Sequence, residues 1–276
     1  MVNVRWMGRV LSRAVLLGAF LWLVAAGTVI MERRALIYPL SQAFDATVID
    51  GLTRGRVETL TAPDGTPLSV WVAPPVGDRP VILHFTGNAG YTPAAARTVT
   101  PYVIRGYGAV LLNYRGAGGA PGEPSEERFV ADALTVYDAL PRLLGTDRPP
   151  VIQGVSLGAA VAVAVAAERP AAALILTVPF ARVCEVAQHH YRWLPACLLQ
   201  WDETWESTAR VGAVSAPILV VEAGRDNIIQ AGQATALYDA APEPKRLLRL
   251  PDAGHGDFQR HGAVEAVLAF LEQHGL

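Results

Sequence analysis

From residue 81 to the carboxyl end, short apolar runs alternate with helical stretches, and this alternation restricts the chain to very few architectures. Residues 81–85, 109–114, 151–153, 173–177, 218–222 and 246–250 read as strands, and 93–105, 126–144, 157–168, 232–240 and 263–272 as helices. The strand runs are apolar on consecutive residues, as expected where helices cover both faces of a parallel sheet. The pattern predicts an α/β fold with a doubly wound, mostly parallel sheet. Ahead of it, 57–61 and 68–73 flank Asp64-Gly65 and predict an antiparallel hairpin. Residues 178–216 interrupt the alternation and predict a short helical lid. The segment holds Tyr191, Trp193, Leu194, Leu198, Leu199, Trp201 and Trp205. Such side chains either wall a pocket at the carboxyl edge of the sheet or pack the insertion onto the body.

Composition narrows the class further. Of 276 residues, 51% are hydrophobic and 17% charged, which excludes a disordered chain. A net charge of −2 and a pI near 6.3 exclude the basic stripe that nucleic acid requires. The charge is unevenly placed: Arg5, Arg9 and Arg13 stand without an acid before residue 32, so 20 basic and 25 acidic side chains remain in 32–276, a balance of −5. Behind the three arginines, 14–31 contain no charged side chain. At 1.5 Å per residue this run is just long enough to cross a bilayer. The chain therefore divides into a basic segment and membrane anchor (1–31), a linker (32–56) and a catalytic domain (57–276). The arginines before the apolar run place that domain outside the cytoplasm. A secretory signal cleaved near Val24-Ala25-Ala26 is the rival, giving a secreted protein. A buried core helix is the third reading, and the lack of any polar face argues against it.

Gly154-Val-Ser156-Leu-Gly158 sits between a strand and an alanine-rich helix. A serine presented at the apex of such a turn needs a strained backbone, and glycines two before and two after relieve the crowding. The helix start also aims N–H groups at the place where an oxyanion would form. An ordinary glycine-rich turn is the bland alternative. A serine hydroxyl is a weak nucleophile without a base, and the base needs an acid to fix its tautomer. Downstream, Asp226 follows the strand 218–222 and His255 follows 246–250. Ser156, Asp226 and His255 are thus the candidate catalytic set, in the chain order expected after successive parallel strands. Glu222 is the rival acid but lies inside its strand; Asp252 and Asp257 read as turn-capping residues, and His84, His189, His190, His261 and His274 as structural or surface residues. The loop at Gly87-Asn88-Ala-Gly90 follows the strand 81–85, and it supplies the backbone N–H of Asn88 as one oxyanion donor, with the N–H of Leu157 as the other.

Cys184 and Cys197 lie thirteen residues apart. They either pair, contributing roughly 3 kcal/mol by loop closure in an oxidising compartment, or remain two buried thiols. A zinc site built from them with His189 and His190 lacks the paired spacing that such a site uses.

These motifs together resemble the α/β-hydrolase superfamily across about residues 55–276. The chain is similar in particular to a membrane-anchored subgroup whose members are described as peptidase-like, esterase-like or depalmitoylating. The resemblance is carried by Tyr38-Pro39, Thr86-Gly-Asn-Ala-Gly90, Asn113-Tyr-Arg-Gly116 and Gly122-Glu-Pro-Ser-Glu126. The subgroup usually has histidine where this chain has Thr86. The resemblance implies a serine hydrolase that needs no metal or organic cofactor. The aromatic and aliphatic insertion, with few clamps for a charged peptide terminus, favours cleavage of a carboxylic ester or thioester of a small acyl substrate, and a membrane tether favours a lipid-like substrate or an acylated peptide. Peptidase action, acyl transfer and a non-catalytic tethered binding protein remain open, because a fold does not fix a substrate.

Overall fold

The structure is a computed structural model and describes residues 4–40, 54–90, 93–199 and 202–276. Among these residues eight strands form one sheet. They are β1 (Arg56–Thr61), β2 (Pro67–Ala73), β3 (Val81–Phe85), β4 (Gly108–Leu112), β5 (Val151–Val155), β6 (Ala173–Thr177), β7 (Ile218–Ala223) and β8 (Lys245–Leu250). Their spatial order is β1-β2-β4-β3-β5-β6-β7-β8, with β1 and β2 antiparallel to their neighbours and β3 to β8 parallel. The opening hairpin turns at Gly65, whose φ of 83° suits glycine, and Asp64 caps the turn by accepting from the Thr66 N–H.

Helices cover both faces. α3 (Pro93–Ile104) and α11 (Ala263–Gln273) lie on one side, α4 (Glu126–Asp138), α6 (Leu157–Glu168) and α10 (Gln233–Ala240) on the other. Residues 157–166 of α6 are all buried, and their alternating Ala and Val side chains let the helix lie close beneath β5 and β6. Each of its buried valines contributes roughly 1.5–3 kcal/mol. The helix expected over 126–144 is two helices, α4 and α5 (Leu140–Leu144). Pro141 lacks the N–H that would continue the first, and Gly145 in the left-handed region ends the second. The strand expected over 109–114 stops at Leu112; Asn113 still donates to Ser69 O, but Tyr114 turns towards the core.

Between β6 and β7 the insertion folds into α7 (Val183–His190), α8 (Ala196–Leu199) and α9 (Ser207–Val211). A disulfide joins Cys184 of α7 to Cys197 of α8 with Cα atoms 4.8 Å apart, which leaves no thiolate for a metal ion. At the amino end, α1 (Val4–Met31) is followed by α2 (Arg33–Ile37). Within α1, the 26 residues Trp6–Met31 are long and apolar enough to cross a membrane. Leu16, Phe20 and Leu23 are among its large exposed side chains.

Candidate active site

Ser156 sits between the end of β5 and the start of α6 with φ 55° and ψ −119°. These angles match the first central position of a type II′ turn, where glycine is preferred. The strain is imposed from both sides. A Cβ on Gly154 would collide with the Gly158 carbonyl, and one on Gly158 would collide with the carbonyls of Phe85 and Thr86. The Ser156 N–H donates to Thr177 O at the end of β6, 2.9 Å away, which fixes the turn above the sheet.

Two backbone bonds clip the loops after β7 and β8 together: Gly224 N–H donates to Leu250 O and Arg225 N–H to Ala253 O, both at 2.8 Å. Gly224 lies so close to Pro251 that a side chain there has no room. This clip brings Asp226 and His255 into contact. His255 Nδ1 donates to Asp226 Oδ2 at 2.7 Å, which leaves Nε2 to accept from the Ser156 hydroxyl at 3.1 Å. Asp226 Oδ1 accepts from the N–H groups of Ile228 (2.8 Å) and Ile229 (2.9 Å), so both its oxygens are occupied. Burial alone would raise the Asp226 pKa. The His255 hydrogen bond and the two amides outweigh it and hold the carboxyl below its ordinary value. The His255 loop is held in turn by Asp257, which accepts from Gly254 N–H at 2.7 Å.

Asn88 and Leu157 line the same cavity as Ser156. Leu157 is the first residue of α6, so its N–H has no acceptor within the helix. The loop bearing Asn88 closes through Gly90 N–H to Gly87 O, and Gly90 takes φ 75°. The loop is tied down by the buried Tyr114 hydroxyl, which donates to Thr86 O at 2.9 Å. That contact is to backbone, so the exchange of histidine for threonine at position 86 leaves it intact.

The other candidates lie elsewhere. Glu222 pairs with Arg249 at 2.8 Å, Asp252 with Arg225 at 2.6 Å, and His261 faces Asp257 at 3.6 Å. His84 is buried beside Gln153, and burial pushes its pKa down to about 4. His274 bonds to Phe270 O within its helix end. His190 is different: it lines the cavity and its Nε2 meets Ile228 O at 2.8 Å, tying the insertion to the loop that carries Asp226.

The cavity holds about 480 Å³. Of the insertion residues singled out from sequence, Tyr191, Leu194 and Leu199 line it. Trp205 is instead buried in the core, its indole N–H donating to the Tyr38 hydroxyl, while Trp193 and Leu198 point outward. Trp201 lies outside the described residues. The sequence reading missed Val29, Ile30 and Ile37, which form part of the wall, because an apolar run of membrane-spanning length carries no sign that one end packs on a domain.

A family described as serine aminopeptidase, S33, matches residues 78–206. The chain is 38% identical to the uncharacterized protein Rv2307c of Mycobacterium tuberculosis over 89% of either chain, and 30% identical to the uncharacterized protein YfhR of Escherichia coli O157:H7 over 74% of this chain and 75% of that one. It is 33% identical to the lysophosphatidylserine lipase ABHD12 of Danio rerio over 61% of this chain and 49% of the lipase, so the match spans about half of that relative. The esterase Pf2001 of Pyrococcus furiosus superposes with a TM-score of 0.69 at 15% identity, covering 84% of this chain and 96% of the esterase. The chain belongs to the α/β-hydrolase superfamily. In an α/β-hydrolase the carboxyl ends of the parallel strands carry the reacting side chains. Here that edge is where β5, β7 and β8 deliver Ser156, Asp226 and His255.

Proposed function

We propose that this α/β-hydrolase is a membrane-anchored serine esterase acting on an acyl ester or thioester of an amphiphile with one acyl chain. The observation that carries the reading is the continuous hydrogen-bonded line Ser156–His255–Asp226, whose serine end lines a mostly apolar cavity. In the reaction, His255 Nε2 takes the Ser156 proton as Oγ attacks the acyl carbon. The resulting oxyanion accepts from the N–H groups of Asn88 and Leu157. His255 then gives the proton to the leaving oxygen or sulfur, Asp226 stabilises the transient imidazolium, and water activated by the same histidine releases the acid.

The cavity, at about 480 Å³ and mostly apolar in its lining, is large enough to hold one long acyl chain. Among the described residues lining it none is acidic, so no carboxylate is present to hold the free ammonium of a peptide. This favours an ester over an aminopeptidase substrate. The relative named a lysophosphatidylserine lipase agrees with a substrate of one chain and a polar head. The disulfide favours an oxidising compartment, and three arginines ahead of the apolar run favour a domain on the far side of the membrane.

The test is labelling by a fluorophosphonate probe in wild type and Ser156→Ala, with hydrolysis of p-nitrophenyl esters, acyl-thioesters and aminoacyl amides alongside. Wild type is expected to label and to prefer esters or thioesters, and Ser156→Ala to do neither. Labelling that survives the substitution rejects the nucleophile, and a folded wild type that never labels makes the protein a tethered binding protein.

A further inference from the structure

The cavity above Ser156 is walled on one side by residues that precede the sheet: Val29 and Ile30 from the last turn of α1, and Leu36 and Ile37 from α2. Val183 and Val186 of α7 and Leu199 of α8 face them. This wall is fastened. Arg33 Nε donates to Asp202 Oδ1 at 2.8 Å, Arg34 Nε pairs with Glu203 at 2.7 Å, and the Tyr38 hydroxyl donates to the same buried Glu203.

α1 also packs further down. Ala26 is buried, the Trp22 indole N–H donates to Trp193 O at 3.1 Å, and the two indoles meet edge-on with centroids 6.5 Å apart. Trp22 lies nine residues before Met31, on the order of 13 Å along the helix axis. If the apolar run of α1 crosses the bilayer and ends at Met31, Trp193 lies that far to the lipid side. One leaflet's hydrocarbon is about 15 Å deep. The side chains left outward there suit lipid: Trp193 is 45% exposed and Leu198 82%, next to Leu194 and Leu199 of the cavity wall.

We propose that the end of α1 and α2 form a specificity-determining wall of the acyl site, and that the site is loaded from the bilayer. The acyl chain of a bilayer-resident amphiphile passes between α1–α2 and α7–α8 and lies along Val29, Ile30 and Ile37 with its carbonyl at Ser156. This deepens the esterase reading and rests on it. The anchor is then part of the enzyme, and cleavage near Ala26 would strip away Trp22 and the helix that holds the wall.

The experiment uses the full chain in phosphatidylcholine vesicles. Val29→Trp and Ile30→Trp narrow the wall without touching Ser156, Asp226 or His255. Fluorophosphonate labelling of the variants shows that the site is folded, and the ratio of palmitate to acetate hydrolysis is expected to fall roughly tenfold or more. Ile30→Ala, a milder change, is expected to shift preference towards longer chains. A second arm, Trp193→Asp with Leu198→Asp, is expected to slow hydrolysis of the vesicle-borne palmitate ester and spare the water-soluble acetate. Unchanged chain-length profiles in labelled, folded wall variants overturn the wall, and equal loss on both substrates in the second arm overturns bilayer loading. Wild type that fails to label overturns the esterase reading itself and this proposal with it, so the failures are distinguishable.

Discussion

Replacing Ser156 by glycine should leave a more stable protein than replacing it by alanine, the reverse of the usual order. Both variants lose the hydroxyl and its bond to His255, so their difference isolates one Cβ held at φ 55°, ψ −119°. Strain of this kind costs roughly 1–3 kcal/mol, and glycine releases it. Against that, glycine loses about 0.4–1 kcal/mol through the freedom it gains in the unfolded chain. The lost burial of one methyl costs less than ~0.8 kcal/mol, since Ser156 faces the cavity. At mid-range values the balance is about 0.5–1 kcal/mol in favour of glycine, or about 1–4 °C in Tm for a domain of this size, and it vanishes when the strain is below about 1.5 kcal/mol. Thermal and urea unfolding of the two variants measure it, with Ala162→Gly as the control. Ala162 lies in the interior of α6, is fully buried and has no special backbone angle, so that change should destabilise by about 1 kcal/mol or more. If Ser156→Ala proves equal to or more stable than Ser156→Gly, the strain at Ser156 is below about 1.5 kcal/mol and the prediction fails.

Two further outcomes follow from buried groups. His84 has its pKa depressed to about 4 by burial, so between about pH 6.5 and 4 the unfolded chain binds a proton that the folded chain does not; this stability is whole above pH 6.5 and is lost on acidification, by roughly 3 kcal/mol in all. Urea unfolding at pH 7 and 4.5 should show a smaller loss in His84→Gln than in wild type, and equal losses would refute the assignment. Reducing the Cys184–Cys197 bond should remove about 3 kcal/mol by loop opening and depress hydrolysis of long-chain esters, because both joined helices line the cavity. Denaturation and ester hydrolysis with and without dithiothreitol check this, and identical curves would sink it.

The sheet and the meeting of Ser156, Asp226 and His255 at its edge were legible because each leaves a local mark. Buried parallel strands are apolar on consecutive residues, as in β4 and most of β3 and β6, and the turn at Ser156 demands glycines at fixed offsets. Helix ends were less legible: the break between α4 and α5 hangs on Pro141, which a pattern tolerant of proline in the first turn reads through. The roles of the insertion aromatics were not legible at all. Trp193 and Trp205 have the same side chain and lie in the same insertion, yet one faces outward beside Trp22 and the other fills the core under Tyr38. What separates them is contact with segments more than 150 residues away, to which no periodicity refers.

The same long-range contacts explain why the amino-terminal wall keeps its place. Apolar packing alone would let α2 slide, since methyl groups accept many registers. Glu203 does not: it is fully buried and is met by the Tyr38 hydroxyl, the Arg34 guanidinium and the N–H of Glu126 at the start of α4. Glu126 in turn accepts from Trp205 N–H and pairs with Arg210, so α2, α4, α9 and the insertion share one polar cluster. Moving α2 away would strand a carboxylate in the interior, at a cost of several kcal/mol. Tyr38 is the pivot, because its hydroxyl donates to Glu203 while accepting from Trp205, and its ring packs edge-on against Phe129 at 5.1 Å. Phe129 stacks on Tyr114, which holds Thr86 and hence the loop of Asn88. The end of α2 and the loop of Asn88 are therefore joined through three aromatic rings, Tyr38, Phe129 and Tyr114.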